Sequence, residues 1–265
     1  MIKHVCVVTV AMAAAMALPQ AGAQAPRDSR TAAVVDELVN ANRILFAQGV
    51  VDGFGHISAR SPVDPSHFFM ARSIAPADVK PVDIMEFDRD GKVVGTDARQ
   101  PYAERFIHSE IYKARPLVMS VVHAHSASVI PFSITSVPLK PVYHMSGFLG
   151  KGAPVFDIRD GNATHADSDL LVKNERLGAQ LADKLGPAAV VLMRGHGFTA
   201  VGASVPVAVF RSVYTEQNAR IEIEALKLGT PTFLTEGEAK MTEETMERLS
   251  VRSWDMWKKQ ADQAR

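Results

Sequence analysis

Residues 118–125 have the sequence VMSVVHAH, a short apolar run that ends in two histidines. The run is rich in β-branched residues and lies just after Pro116, so we predict a buried β-strand over residues 118–124. Because side chains alternate between the two faces of a strand, His123 and His125 should point the same way, one pleat apart. Two imidazoles on one face predict a two-point site for a divalent metal ion. The alternative is that the two histidines bind no metal and only make hydrogen bonds in the core or at the rim of the sheet.

A further histidine and a carboxylate complete a candidate ligand set. His196 stands between two glycines, whose backbone permits close approach, and Glu104 lies nineteen residues before His123. Three neutral imidazoles and one carboxylate suit Zn²⁺ first, and also Mn²⁺, Fe²⁺ or Co²⁺. We therefore predict one divalent metal ion per chain, bound by Glu104, His123, His125 and His196.

The composition bounds the class of protein. The chain has 265 residues, of which 47% are hydrophobic and 22% are charged, with a formal net charge of 0. These values are typical of one globular α/β domain, and they give no electrostatic argument for binding nucleic acid or an anionic membrane. Cys6 is the single cysteine, which excludes an intrachain disulfide and a thiolate metal site.

The N-terminal residues 1–25 have the pattern of a secretory signal peptide. A short basic start precedes an apolar, alanine-rich stretch over residues 5–18, and small residues at 21–25 offer cleavage sites. An uncleaved membrane anchor is the alternative, but the apolar run is short for a bilayer span. We expect an exported protein, periplasmic or secreted, whose mature part is one domain over residues 26–265 with no membrane segment.

Hydrophobic periodicity and turn residues predict alternating helices and strands along that domain. The helix predicted over residues 102–114 places Glu104 and His108 on one face, because they are four residues apart. A long helix is expected between a Ser204 cap and Gly229, with a buried stripe of Phe210, Tyr214, Ile221, Ala225 and Leu228. The other expected elements are a helix at 31–47, a turn into a strand at 53–60, strands at 68–71 and 188–193, a return strand at 198–201 that pairs with 188–193 around His196, a hairpin at 84–94, and a charged helix at 241–265.

Several of these motifs together resemble the class II aldolase/adducin family, in its fuculose-phosphate aldolase group. The resemblance covers residues 31–236. Its motifs are GHISAR at 55–60, the Glu104-x-x-x-His108 pair, IYKARP at 111–116, VVHAHS at 121–126 and RGHG at 194–197.

The family resemblance implies a three-layer α/β/α fold with a central, mostly antiparallel sheet between helix layers. It also implies a homotetramer with metal sites near the subunit interfaces. The family's three histidine ligands correspond to His123, His125 and His196, and its glutamate, both ligand and acid/base, corresponds to Glu104. Adducin-like members that lack these ligands are scaffolding modules, so the presence of all four here favours an enzyme.

The chain departs from the phosphosugar aldolases where they bind phosphate. Residues 70–76, MARSIAP, contain no glycine, so a backbone nest for phosphate is not expected. Arg72 instead offers a planar fork for a carboxylate, with Ser73 beside it, although Arg72 pairing with a surface carboxylate is the alternative. His56 stands where asparagine is common in the family, and His144 lies near a tyrosine that the sugar aldolases use.

Arg72, Ser73, His56 and His144 are accordingly our candidate substrate-binding residues. A packed core histidine is the alternative for His144. We expect His108 to brace Glu104 from behind.

At these positions the chain resembles the family's decarboxylases, which act on hydroxylated aromatic or pyridine carboxylic acids. The resemblance therefore implies a divalent-metal-dependent carbon–carbon lyase that decarboxylates a small hydroxylated aromatic or heteroaromatic carboxylic acid. An aldolase acting on a hydroxy-carbonyl or sugar-type substrate uses the same ligand set and stays open as an alternative. An exported, non-catalytic small-molecule-binding protein on the same fold is the alternative of another class.

Overall fold

The computed structural model describes residues 28–160 and 167–263. The predicted signal peptide at residues 1–25 lies outside the described residues. Among the helices of the described part, none combines the length and the apolar character needed to cross a membrane.

One sheet with strand order β3-β2-β1-β4-β7-β6-β5 forms the centre of the fold. Its neighbouring strands are antiparallel except for β5 and β6, which are parallel. The prediction of a mostly antiparallel central sheet is confirmed. The strands are β1 (His56–Arg60), β2 (Phe68–Ala71), β3 (Ile84–Phe87), β4 (Ser120–Ala124), β5 (Val155–Phe156), β6 (Val190–Met193) and β7 (Gly197–Gly202).

Helices cover both faces of this sheet. Side chains of α1, α5 and α6 share one hydrophobic core with Val122, whereas side chains of α2 and α4 share a second core with Val121. Because consecutive residues of a strand face opposite ways, β4 contributes to both cores and separates two helix layers. The helices are α1 (Ser29–Ala47), α2 (Arg105–Ala114), α3 (Ile130–Ile134), α4 (Glu175–Leu185), α5 (Val205–Leu228) and α6 (Glu236–Gln263), with 3₁₀ helices at Pro76–Asp78, Pro81–Asp83 and His144–Leu149.

The helix that follows Glu104 begins later than the sequence predicts. It was expected from residue 102, but α2 begins at Arg105, so Glu104 precedes the first helical residue. Pro101 forms a β-bridge with Arg72, and the Tyr102 hydroxyl donates to the backbone carbonyl of Ile74. These contacts tie residues 101–102 to the end of β2, and the chain turns into a helix only after them.

The long helix α5 has the predicted ends but only half of the predicted stripe. Ser204 caps its first turn and Gly229 follows its last residue. Phe210 is buried, whereas Ile221 and Leu228 are 42% and 92% exposed, so the stripe prediction is wrong for the C-terminal half. Only Ala219 is apolar among the buried residues of that half; the other two, Asn218 and Glu222, are polar and hydrogen-bond with backbone groups of the segment around Lys140.

Candidate metal centre

The four predicted ligands come from three places around the C-terminal end of β4, the middle strand of the sheet. His123 is fully buried near the end of β4, and it faces the α2 side because Val122 faces the other core. His125 lies one residue beyond β4, and His196 lies in the turn between β6 and β7. Glu104 immediately precedes α2 on the same side of the sheet. The fold therefore brings together residues that span 92 positions of the sequence.

The donor atoms of these side chains converge. The Nε2 atom of His125 lies 3.0 Å from that of His123 and 2.9 Å from that of His196. Glu104 Oε2 lies 3.6 Å from the His123 nitrogen and 3.5 Å from the His196 nitrogen. All four donor atoms lie within 4.8 Å of one another, a spacing suited to one small cation between them.

Glycines on either side of His196 let its turn lie against β4. Gly195 has a φ of +64°, a left-handed conformation that L side chains rarely adopt. At Gly197 a β-carbon would lie 2.1 Å from the carbonyl oxygen of Ala124, so only glycine allows this close approach. The RGHG motif thus positions His196 through the backbone conformation of its neighbours.

Backbone carbonyls orient two of the imidazoles. The Nδ1 atom of His123 lies 3.1 Å from the Phe198 carbonyl oxygen, and that of His196 lies 3.0 Å from the Leu170 carbonyl oxygen. A carbonyl only accepts, so each Nδ1 carries the hydrogen and each Nε2 presents a lone pair to the cluster.

His125 has at most one Nε2 hydrogen, which cannot serve both neighbouring nitrogens. Converging lone pairs beside a carboxylate repel one another unless a cation lies between them. The donor set therefore fits a divalent metal ion, with the carbonyl-bound Nδ1 atoms giving the outer support that metal-binding histidines commonly have.

Burial sets the protonation of the four groups. Burial, and then the neighbouring histidines, lower the pKa of His123 well below its usual value. Burial also lowers the pKa of His125, and it lowers that of His196 to about 4. The imidazoles are therefore neutral near pH 7, the form that binds metal ions. Burial raises the pKa of Glu104 to about 7, against the lowering effect of the Val172 backbone N–H.

His108 hydrogen-bonds with His56 and Ser58, and among the described residues no hydrogen bond joins it to Glu104. Its Nε2 atom lies 2.7 Å from His56 Nδ1, and its Nδ1 atom lies 2.6 Å from Ser58 Oγ. His56 itself is next to the cluster, with its ring centroid 5.1 Å from that of His123.

Sequence comparison identifies the family. The family model described as class II aldolase and adducin N-terminal domain matches residues 36–223. The chain belongs to the class II aldolase and adducin family. It is an enzyme, as the retained ligand set led us to expect.

Named relatives of this class II aldolase family member include decarboxylases. Decarboxylase tropJ of Talaromyces stipitatus is 40% identical, over 86% of this chain and 94% of that protein. A 3,4-dihydroxyphthalate decarboxylase of Terrabacter sp. is 29% identical, over 72% of this chain and 81% of that protein. The solved structure of an L-fuculose 1-phosphate aldolase from Glaciozyma antarctica PI12 has a TM-score of 0.73 at 21% identity, covering 91% of this chain and 94% of that chain. The last likeness shows the shared fold.

Arg72 and Ser73 follow β2 in this class II aldolase family member. Arg72 Nε donates to Asp83 Oδ1 at 2.7 Å, and the guanidinium is close enough to Tyr102 to influence that phenol electrostatically. The Tyr102 ring in turn packs 4.6 Å from the ring of His56. Ser73 is exposed, and its backbone N–H donates to the Gln100 carbonyl. Arg72 thus lies one aromatic ring away from His56, while the Ser73 side chain makes no hydrogen bond within the described ranges.

His144 is separate from the cluster. It is the exposed first residue of the 3₁₀ helix His144–Leu149, and its ring lies 6.1 Å from the ring of Tyr143. Within residues 28–160 and 167–263, no hydrogen bond, ion pair or ring contact joins it to the four converging side chains. The alternative of a packed core histidine is wrong, because the side chain is exposed.

Four residues near the site were not predicted from the sequence. Phe54 is 69% exposed with its ring centroid 6.4 Å from that of His125, and no local pattern indicates it. Ser58 follows His56 by two residues on one strand, and Tyr112 follows His108 by four on one helix. The strand and helix periods place each pair on one face, so periodicity could have identified both. Tyr102 was noted only as part of a helix.

Proposed function

We propose that this enzyme is a divalent-metal-dependent carbon–carbon lyase that decarboxylates a hydroxylated aromatic or heteroaromatic carboxylic acid. The observation that carries the proposal is the convergence of three imidazole nitrogens and one carboxylate within 4.8 Å. The choice of decarboxylation is supported by the 40% identity to decarboxylase tropJ and by the similarity to a 3,4-dihydroxyphthalate decarboxylase.

Glu104, His123, His125 and His196 would hold one metal ion, Zn²⁺ first and Mn²⁺, Fe²⁺ or Co²⁺ as alternatives. When bound, the ion supplies Lewis acidity that stabilises the negative charge formed as the carbon–carbon bond breaks. The Phe198 and Leu170 carbonyls hold two of the imidazoles in the tautomer that this role requires.

Glu104 is the proton carrier in this proposal. Burial raises the pKa of this carboxyl to about 7 when no metal ion is bound to it, so the group would take up a proton near neutral pH once substrate binding releases it from the metal ion. As the bond between the ring carbon and the carboxylate carbon breaks, carbon dioxide leaves and the ring carbon keeps the electron pair. Glu104 gives its proton to that carbon and is protonated again by solvent. The Val172 N–H holds the other carboxyl oxygen at 2.9 Å, which fixes the direction of transfer.

Two residues favour an aromatic acid as substrate. The exposed ring of Phe54 beside His125 offers a flat apolar surface for an aromatic ring. Arg72 is only 35% exposed in its side chain, and no described residue accepts a hydrogen bond from its two terminal nitrogens. A planar guanidinium fork matches a carboxylate in two points. We assign substrate contacts to Phe54, Arg72 and His56, with Ser73 beside Arg72.

We further propose a homotetramer, because the family resemblance implies one. Within one subunit His144 does not reach the cluster, so its substrate role requires that a neighbouring subunit lie against it. Light scattering of the purified protein should give four times the chain mass. A monomer with full activity would refute both the assembly and the role of His144.

Export is a separate proposal that depends on residues 1–25. Intact-mass measurement of protein from the native host should show a chain that begins near Gln24 or Pro26. A mass that includes the first 23 residues would refute cleavage.

The reaction is tested by supplying metal-loaded protein with hydroxylated aromatic acids, among them 3,4-dihydroxyphthalate, and with L-fuculose 1-phosphate. We expect carbon dioxide from at least one aromatic acid and no aldehyde from the sugar phosphate. The His123→Ala/His125→Ala variant serves as the inactive control. Efficient cleavage of the sugar phosphate with no turnover of aromatic acids would replace the proposal by the aldolase alternative.

A further inference from the structure

Buried hydrogen-bonding groups form a line from the metal cluster into the α2 side of the sheet. His56 Nδ1 lies 2.7 Å from His108 Nε2, His108 Nδ1 lies 2.6 Å from Ser58 Oγ, and Ser58 Oγ lies 2.7 Å from the Tyr112 hydroxyl. None of the four side chains is more than 6% exposed. Each of these three hydrogen bonds contains one hydrogen. Which partner donates it in each bond follows from the chemistry of Tyr112 at the inner end of the line.

Tyr112 fixes the direction at the inner end. The phenol has one hydrogen, and among the described residues Ser58 Oγ is the one acceptor within hydrogen-bond distance of it. The backbone N–H of Val121 also interacts with the phenol oxygen, and it is a donor itself. Burial raises the pKa of Tyr112, so the hydroxyl keeps its hydrogen. Tyr112 therefore donates to Ser58.

The direction then passes from residue to residue. The Tyr112 hydrogen occupies the hydrogen bond between Tyr112 and Ser58. The Ser58 hydroxyl must therefore donate its own hydrogen to His108 Nδ1. His108 Nδ1 is then an acceptor, and the imidazole carries its hydrogen on Nε2, where it donates to His56 Nδ1. His56 consequently has a lone pair on Nδ1 and its own hydrogen on Nε2.

The hydrogen on His56 Nε2 has no acceptor among the residues that the structure describes. The ring packs against those of Tyr102 and His123, with centroid distances of 4.6 and 5.1 Å, and the residue is only 4% exposed. Nδ1 points to His108, so Nε2 lies on the opposite side of the ring, away from the hydrogen-bonded line. A fixed donor beside a cluster of acceptors suits a ligand oxygen that only accepts.

We propose that Tyr112, Ser58 and His108 are positioning residues that hold His56 as a neutral Nε2–H donor beside the metal cluster, where it binds a carboxylate or phenolate oxygen of the substrate. The identity of that oxygen rests on the proposed function, whereas the tautomer of His56 does not. Hydrogen bonds to an ionised oxygen are stronger than those to a neutral one, so the donor favours anionic substrates.

The test is the tautomer of His56 in zinc-loaded protein labelled with ¹⁵N-histidine. Long-range ¹H–¹⁵N correlation distinguishes a nitrogen that carries a hydrogen from one that does not, and His56→Gln assigns the signals. We expect a single His56 species with the hydrogen on Nε2. A hydrogen on Nδ1, or on both nitrogens, would overturn the proposal.

Tyr112→Phe tests the origin of that tautomer. The variant lacks the hydrogen that Tyr112 donates to Ser58. The hydrogen bonds among Ser58, His108 and His56 can then run in either direction, so a second His56 species with the hydrogen on Nδ1 should appear. Tyr214→Phe removes a phenol hydroxyl elsewhere and should leave the His56 signals unchanged. A single Nε2–H species in a folded Tyr112→Phe variant would refute the role of Tyr112.

If Tyr112→Phe does not fold, the wild-type tautomer decides alone. The predicted tautomer in a protein that releases no carbon dioxide from aromatic acids would count against the proposed reaction only. Turnover of those acids by a protein with His56 protonated on Nδ1 would count against the hydrogen-bonded line only.

Discussion

The Nδ1 hydrogen of His196 is donated to the carbonyl oxygen of Leu170 across 3.0 Å. Leu170 is the one non-glycine residue with a positive φ, 64°, within residues 28–160 and 167–263. Two residues later the Val172 N–H donates to Glu104, so one short segment orients two of the four candidate ligands. A left-handed conformation at a leucine costs about 1–3 kcal/mol and commonly occurs at functional sites.

Replacing Leu170 should therefore weaken metal binding when the new residue disfavours a positive φ. In Leu170→Val the β-branched side chain resists this conformation, and the displaced carbonyl no longer orients His196. We expect roughly 10-fold weaker zinc binding, in the range that outer-shell changes commonly produce. Leu170→Gly adopts the same φ without strain and should bind zinc nearly as tightly as the wild type. Equal losses in both variants, measured by competition with a chelator, would mean that the backbone conformation is not the cause.

Arg72→Lys tests the proposed carboxylate contact. Asp83 holds the Nε atom of Arg72 at 2.7 Å, which aims the terminal nitrogens of the guanidinium. Lysine keeps the charge but loses the planar fork, so substrate binding should weaken by about 1.5–3 kcal/mol, or at least tenfold in KM.

Metal content should not change in Arg72→Lys, because the residue does not touch the cluster. Arg220→Lys alters an exposed arginine paired with Glu216 and is the matched control. An unchanged KM for the aromatic acid would leave Arg72 with a structural role beside Asp83 only.

Glu222 gives a pH dependence of stability that is independent of the metal site. The side chain is fully buried on α5. Burial raises its pKa from 4.5 to about 7, although the hydrogen bond from the Lys140 backbone N–H lowers the pKa in part. Between these values the folded state binds more protons than the unfolded state, so this group makes the free energy of unfolding fall as pH rises.

Urea unfolding between pH 4.5 and 8 measures this effect. The wild type should lose more stability across the range than Glu222→Gln, which cannot ionise. Glu224→Gln, at an exposed position of the same helix paired with Lys227, should behave like the wild type. Identical slopes for the wild type and Glu222→Gln would show that Glu222 is not buried in its neutral form.

Local patterns predicted the strand that carries His123 because its β-branched run is buried on both faces of the sheet. Val121 and Val122 belong to opposite cores, which is why the run is apolar without alternation. The turn around His196 was equally predictable, since its glycines serve a backbone requirement that no other residue meets.

Contacts between distant segments account for what the patterns missed. The start of α2 depends on Pro101 and Tyr102, which are tied to residues 72 and 74 and not to their own helix. The hydrogen bond between His56 and His108 joins residues 52 positions apart, so no sequence period contains it. Ile221 is exposed although it fits the helical stripe, because the buried face of that half of α5 serves polar groups of another segment.

The central claim is that Glu104, His123, His125 and His196 bind one divalent metal ion, and metal analysis of the purified protein tests it most directly. Wild-type protein exposed to zinc and then desalted should retain one metal ion per chain, and His123→Ala/His125→Ala should retain almost none. His67→Ala, which removes a histidine paired with Glu86 away from the cluster, should retain the full amount. Near-stoichiometric metal in the double variant would contradict the account.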